Sequence, residues 1–192
     1  MLEELDAKLS ELNILSPQSR QLFKEIATIK KLPKSKNIFV EGDGNAHEYL
    51  LLSGVLHRYN LADDGQLITT GFYMTKAVVT PHFARTKNGK SIFSLQALTN
   101  AVVAEIAVAD LNLLRQTNNE FRVFGQKIIE EELSKLFYFE TVYRSCSAKE
   151  RLLILRNHFP NLENLVPHNS IASFLGITNV SFSRLRHELS VK

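Results

Sequence analysis

Seven residues near the C-terminus have types and spacing suited to contacting nucleic acid: Thr178, Asn179, Val180, Ser181, Ser183, Arg184 and Arg186. A guanidinium reads guanine through O6 and N7, whereas an apolar side chain can only touch a thymine methyl. Hydroxyls and further guanidiniums reach phosphate oxygens, which position a protein without specifying a sequence. Phe182, Leu185 and Leu189 recur among them at helical spacing and share one side. One helix would thus carry an apolar face for its own core and a polar, basic face for a partner.

A second helix must hold the first in place. Ile171, Phe174 and Leu175 give an apolar face just upstream. Gly176 supplies the left-handed position that ends a helix at little cost. Ile177 can plug the gap between the helices, and Thr178 is a good N-cap for the next one. Helix, tight turn and helix make a helix-turn-helix, whose second helix lies in the DNA major groove. An ordinary helical hairpin packs by the same rules. The basic second helix favours the DNA reading over that one.

Charge distribution points the same way. The 192-residue chain has a net charge of only +3. From Arg144 onward there are seven basic residues and three acidic ones, so the tail is +4 and the remainder −1. Positive charge therefore sits where phosphate contact would need it. Cys146 is the only cysteine, which excludes a disulfide framework, a zinc finger and a cysteine-held cluster within one chain. The N-terminal stretch is amphipathic and acidic, without the apolar centre of a signal peptide. No run is long and apolar enough to span a membrane. These features imply a reduced, cytoplasmic protein with no membrane partner.

The rest of the chain reads as an α+β scaffold. Residues 1–30 are expected to be helical, with Leu2, Leu5, Leu9 and Leu12 at helical spacing, and Ser16-Pro17 starts a second helix. After Pro33 short strands alternate with turns: 37–40, 48–52, 55–61, 66–73, 92–98 and 101–108. The turn Ala62-Asp63-Asp64-Gly65 is a strong hairpin signal. Many short strands of even spacing imply a double-stranded β-helix jelly roll. A long helix follows from residue 118 or 119 to about 144, with no proline and one glycine, Gly125. Its apolar stripe of Phe121, Phe124, Ile128 and Leu136, with Leu133 between, is wider than the roll needs. We read it as a dimerisation helix, because a helix-turn-helix protein normally reads two half-sites. Ser147 and Glu150 form a capping box for a further helix, which Pro160 stops. The expected organisation is a β-roll domain over 1–117, a dimerisation helix over 118–144 and a DNA-binding domain over 145–192.

Order and motifs together resemble the Crp/Fnr superfamily of bacterial transcription regulators. The pieces that carry the resemblance are Glu41-Gly42-Asp43, the stretch Leu51 to Leu56, Asp64-Gly65, and the stretch Ile171 to Thr178. The resemblance implies a cyclic-nucleotide-binding-like roll, a homodimer, and double-stranded DNA and RNA polymerase as partners. We expect Asn179, Val180, Ser183 and Arg184 to face base edges, Asn179, Val180 and Arg184 standing at the positions the resemblance gives as the usual readers, and Thr178, Ser181 and Arg186 are candidates for phosphate contact. Val180 stands where many relatives have a Glu, which would loosen base preference at that step.

The chain departs from the family at the nucleotide pocket. Members that bind cyclic AMP hold the ribose with a Gly-Glu pair and the phosphate with an Arg. Here Thr80-Pro81 stands for Gly-Glu and Ser91 for the Arg, with Lys90 before it. No acidic residue occurs between Asp64 and Glu105 to restore the Glu. Cyclic AMP binding of the usual kind is therefore not expected, and no cofactor is assigned. Thr80-Pro81 still reads as a helix start, which can hold an anion on its free N–H groups. With His82, Arg85, Lys90 and Ser91, and with Lys76 and Lys87 nearby, it forms a candidate pocket for an unidentified anionic effector. The alternative is a solvated basic loop.

Enzymatic readings are weaker. His47, Glu48 and His57 faintly imitate a cupin metal frame, but adjacent His47 and Glu48 point to opposite faces of a strand. Metal ligands must converge, and no hydrolase, phosphate-loop or nucleophile motif appears. No catalytic or metal residue is assigned, and the chain is not expected to be an enzyme. A dimeric ligand-binding module without DNA binding is the other alternative; an acidic face over 179–187 would favour it.

Overall fold

The computed structural model describes residues 2–11, 13–74 and 77–190. Leu12, Lys76 and Lys192 lie outside them. Two short helices, α1 (Leu2–Glu11) and α2 (Pro17–Ile26), open the chain. Ser16 caps α2, its hydroxyl accepting from the Ser19 N–H, with Pro17 in the first turn. The helix expected to run to residue 30 ends at Ile26. Residues Ala27–Leu32 form strand β1 instead, each paired in register with β9. Sheet pairing with β9 decides the outcome there.

Eight further strands follow: β2 (Asn37–Phe39), β3 (His47–Ser53), β4 (Val55–Leu61), β5 (Leu67–Met74), β6 (Thr86–Lys87), β7 (Lys90–Ser91), β8 (Ser94–Ala97) and β9 (Ala101–Ala107). They make two antiparallel sheets, ordered β1-β9-β3 and β2-β8-β4-β5, and a small β6-β7 hairpin. A four-residue helix, α3 (His82–Arg85), precedes the hairpin. Gly54 turns the chain from β3 into β4 at φ +93°, and a Cβ there would meet the Asn100 carbonyl oxygen at 2.6 Å. Only glycine fits that corner.

Strand alternation builds two cores from one strand. Tyr49 and Leu51 of β3 point between the sheets with Phe39, Leu56, Phe93, Leu95 and Val103. Leu50 and Leu52 point outward to a helical layer of α1, α2, α4 (Val108–Thr117) and α5 (Asn119–Tyr138). A π-helical turn, Phe139–Tyr143, extends α5. A third core lies on the other sheet. Val55, Phe72 and Leu98 pack with α6 (Ala148–His158), α7 (Leu162–Leu165), α8 (His168–Leu175) and α9 (Asn179–Ser190). The C-terminal helices thus share a core with the roll rather than standing apart from it.

Candidate nucleic-acid interface

Local rules place α9. Helix α8 ends at Gly176, whose φ of +66° and ψ of +35° is the left-handed cap. Thr178 then caps α9, its hydroxyl accepting from the Ser181 N–H at 3.1 Å and lying 3.0 Å from the Ser181 hydroxyl. Thr178 and Ser181 therefore largely satisfy each other. Phe182 is buried among Leu152, Leu155, Ile171 and Leu175, with Leu185 and Leu189 partly buried beside it. That anchoring turns Asn179, Val180, Ser183, Arg184 and His187 outward, and all are exposed. Ser183, Arg184, His187 and Glu188 border one shallow open depression.

The charges on this face differ in availability. Arg184 makes no hydrogen bond or ion pair among the described residues. Glu188, the face's only acid, is paired with Lys149 of α6. Arg186 turns inward. Its Nε lies 3.4 Å from Glu163, its Nη1 lies 3.1 Å from His168 Nε2, and its guanidinium stands over the Phe182 ring. Glu163 also takes Arg156 at 2.8 Å. The phosphate role expected for Arg186 is therefore revised: helical geometry turns it about 200° from Arg184, toward α7 and α8. Nothing in the sequence marks Glu163 as the partner that draws it there.

The sequence-predicted effector cluster is also rearranged. Thr80 is spent on Tyr73 and Glu132, its hydroxyl lying 2.7 Å from the Tyr73 hydroxyl and donating to the Glu132 carboxylate at 3.2 Å. Pro81 precedes α3, but the free N–H of His82 already donates to the Glu48 carboxylate at 2.9 Å. The anion expected at that helix start is supplied by the chain itself. His82 Nε2 lies 2.6 Å from the Asn45 carbonyl. Arg85 is not a solvated loop residue. It is fully buried, donates to the carbonyls of Thr80 and His47, and stacks over Phe39 and Tyr49. Its burial makes the charged form less favourable, which Glu48 partly offsets. Ser91 is buried, and of the six only Lys90 is exposed. The space between the sheets is thus packed by Arg85 and the rings of Phe39 and Tyr49. His57 is buried too, between Thr69 and Gln96 at 3.3 Å each. Among the described residues no group of three or more His, Cys, Asp or Glu could hold a metal ion.

Helix α5 begins at Asn118, whose side chain accepts from the Glu120 N–H. Its Phe121, Phe124 and Ile128, expected at a dimer seam, are buried in the chain's own core against Leu50 and Ile106. Leu136 alone of the four is exposed, with Ile129, Leu133 and Phe137 beside it. The apolar stripe is two faces, one for the roll and one left open. No helix among the described residues is long and apolar enough to cross a membrane.

No protein-family model and no curated protein matches the chain in sequence. Solved structures do match in shape. FixK2 from Bradyrhizobium japonicum superposes with a TM-score of 0.72 at 18% identity, over 86% of this chain and 85% of that one. A protein assigned to the Crp/Fnr family of transcriptional regulators from Eubacterium rectale gives 0.68 at 16% identity, over 94% and 86%. A CooA mutant from Carboxydothermus hydrogenoformans gives 0.69 at 16% identity, over 94% and 83%. At such identities the likeness is one of fold: a cyclic-nucleotide-binding-like chain, similar in shape to Crp/Fnr regulators.

Proposed function

We propose that the chain is a homodimeric transcription regulator of the Crp/Fnr type that reads double-stranded DNA with α9 in the major groove. The observation that carries this reading is the α9 face, exposed and basic, with Arg184 unpaired among the described residues and its one acid neutralised by Lys149. A surface that kept these groups for the chain's own stability would have paired Arg184 as it paired Arg186. Asn179, Val180, Ser183 and Arg184 are the base-edge residues, and RNA polymerase is the partner this class of regulator implies. The dimer seam is Ile129, Leu133 and Leu136, at the four- and three-residue steps of a coiled-coil seam, with Phe137 at its edge. The second copy places two α9 helices on successive major grooves.

Cyclic nucleotides are not the effectors in this reading. Their ribose and phosphate anchors are absent, and Arg85 fills the roll. Cyclic AMP and cyclic GMP should bind no tighter than about millimolar by calorimetry; a micromolar constant for either would reverse that part. Selection from a random duplex pool tests the main claim. The reading expects an inverted repeat with half-sites one helical turn apart, and an unenriched pool would contradict it.

A further inference from the structure

A narrow pocket lies outside the roll, between α5 and the outward face of β3 and β9. It encloses about 570 Å³ counting its open mouth, of which only about 60 Å³ stands clear of the walls by a water radius. The smaller figure says that the slot is slender, and so fits an unbranched chain rather than a ring system. Leu50, Ile106, Phe124 and Ile128 line it, and Phe83 stands largely exposed at its rim.

Two polar side chains reach this apolar slot. Glu48 already accepts from the His82 N–H, and burial pushes its carboxyl above the usual carboxylate range. Arg115 donates from Nη1 to Asn112, but its buried Nε has no partner. Gly125 is what admits that guanidinium, since a Cβ there would lie 3.0 Å from Arg115 Nε. An interior glycine weakens a helix, and here the space it leaves is held by an unsatisfied donor. Both Arg85 and Arg115 bear electrostatically on Glu48. At the polar end of the slot itself stand Glu48, already engaged by the His82 N–H, and Arg115, whose Nε lacks an acceptor.

We infer that this pocket binds an amphiphilic monocarboxylate with an unbranched alkyl chain. Its carboxylate pairs with the Arg115 guanidinium, and its chain lies along Leu50, Phe124 and Ile128. Helix α5 walls the pocket with Phe124, Ile128 and Ile129, and Ile129 also begins the open apolar seam. An occupant therefore bears on the helix that joins two copies, which makes this the effector site; that consequence, unlike the binding itself, rests on the regulator reading.

Calorimetry on the full chain tests it, with octanoate, decanoate and decanol as probes below their aggregation limits. One saturable site per chain is expected. Decanoate should bind about tenfold tighter than octanoate, because two more methylenes leave water. Decanol should bind at least tenfold more weakly than decanoate, and Arg115→Gln should abolish that difference. The chain has no tryptophan, so Phe83→Trp sets a lone indole at the rim. Its emission should shift to the blue over the same decanoate range. No saturable heat at millimolar decanoate, equal affinity in Arg115→Gln, or an unmoved indole emission in Phe83→Trp would overturn the inference. A protein that binds decanoate but no duplex would leave the pocket standing and sink the regulator reading instead.

Discussion

The roll interior and the α9 face each present an arginine, and the two could hardly be used more differently. Arg85 is fully buried, with aromatic rings 4.9 Å and 5.2 Å from its guanidinium carbon and two backbone carbonyls as acceptors. Arg184 is exposed and holds no partner among the described residues. Both stand in basic stretches that read alike along the chain. A guanidinium already committed to carbonyls and rings stabilises a fold, whereas an uncommitted one remains available to bind something else. The space between the sheets is thus occupied by a buried guanidinium, whereas the α9 face leaves one uncommitted.

The sharpest way to break that comparison is to remove Arg85. Arg85→Ala empties a fully buried site and strips two carbonyls of their donor, which should cost roughly 3 kcal/mol. Urea denaturation should show a lower midpoint, while Arg184→Ala stays within about 0.5 kcal/mol of wild type. Equal midpoints for wild type and Arg85→Ala would mean that the interior arginine is not scaffold.

Next in size is the division of α5 into two faces. Leu133→Asp should leave the monomer folded and raise the dimer dissociation constant about hundredfold, roughly 3 kcal/mol. Ile128→Asp should unfold the chain instead, because Ile128 lies in its own core. Sedimentation and circular dichroism separate the outcomes. A folded monomer from Ile128→Asp would return the seam to the buried face.

Arg186 sharpens the comparison within α9 itself. Arg186→Ala should lower stability by about 1 kcal/mol, through loss of Glu163, His168 and ring contacts, some of it screened by solvent. The salt dependence of duplex binding should not change. A slope reduced by about one counterion per subunit would show a phosphate contact after all.

The smallest effect concerns His57. Burial lowers its pKa from 6.5. The unfolded chain therefore takes up a proton before the folded one does, and stability that is fully present above pH 6.5 falls as pH drops below it. His57→Gln should flatten the stability curve in that window relative to wild type. Parallel curves would mean that His57 titrates normally.

Much of this was legible in the residues, where the rule was local. Gly176, Thr178 and Phe182 locate the turn, the cap and the anchor of α9 without any long-range information. The capping box of Ser147 and Glu150 and the Asn118 start of α5 read the same way. Helical periodicity marks α5 as apolar on a wide face, but it cannot say which part meets the chain's own sheet. That is settled by Leu50 and Ile106, more than fifty residues apart in sequence. Arg85 was illegible for a similar reason. Its acceptors are carbonyls and its neighbours Phe39 and Tyr49 arrive from other strands, so nothing beside it in sequence announces burial. Arg186 turns on Glu163, which sits across a loop in α7. The open pocket had no signature at all, since Gly125 and Arg115 gain meaning only once α4 and α5 are folded together.

The central claim is that Arg184 reads a base. Fluorescence anisotropy of the enriched duplex and a scrambled one, titrated with wild type and Arg184→Ala at several salt concentrations, tests it directly. The account predicts a loss of roughly 1–3 kcal/mol on the enriched duplex, little change on the scrambled one and an unaltered salt slope. Arg184→Ala binding both duplexes as wild type does would contradict it.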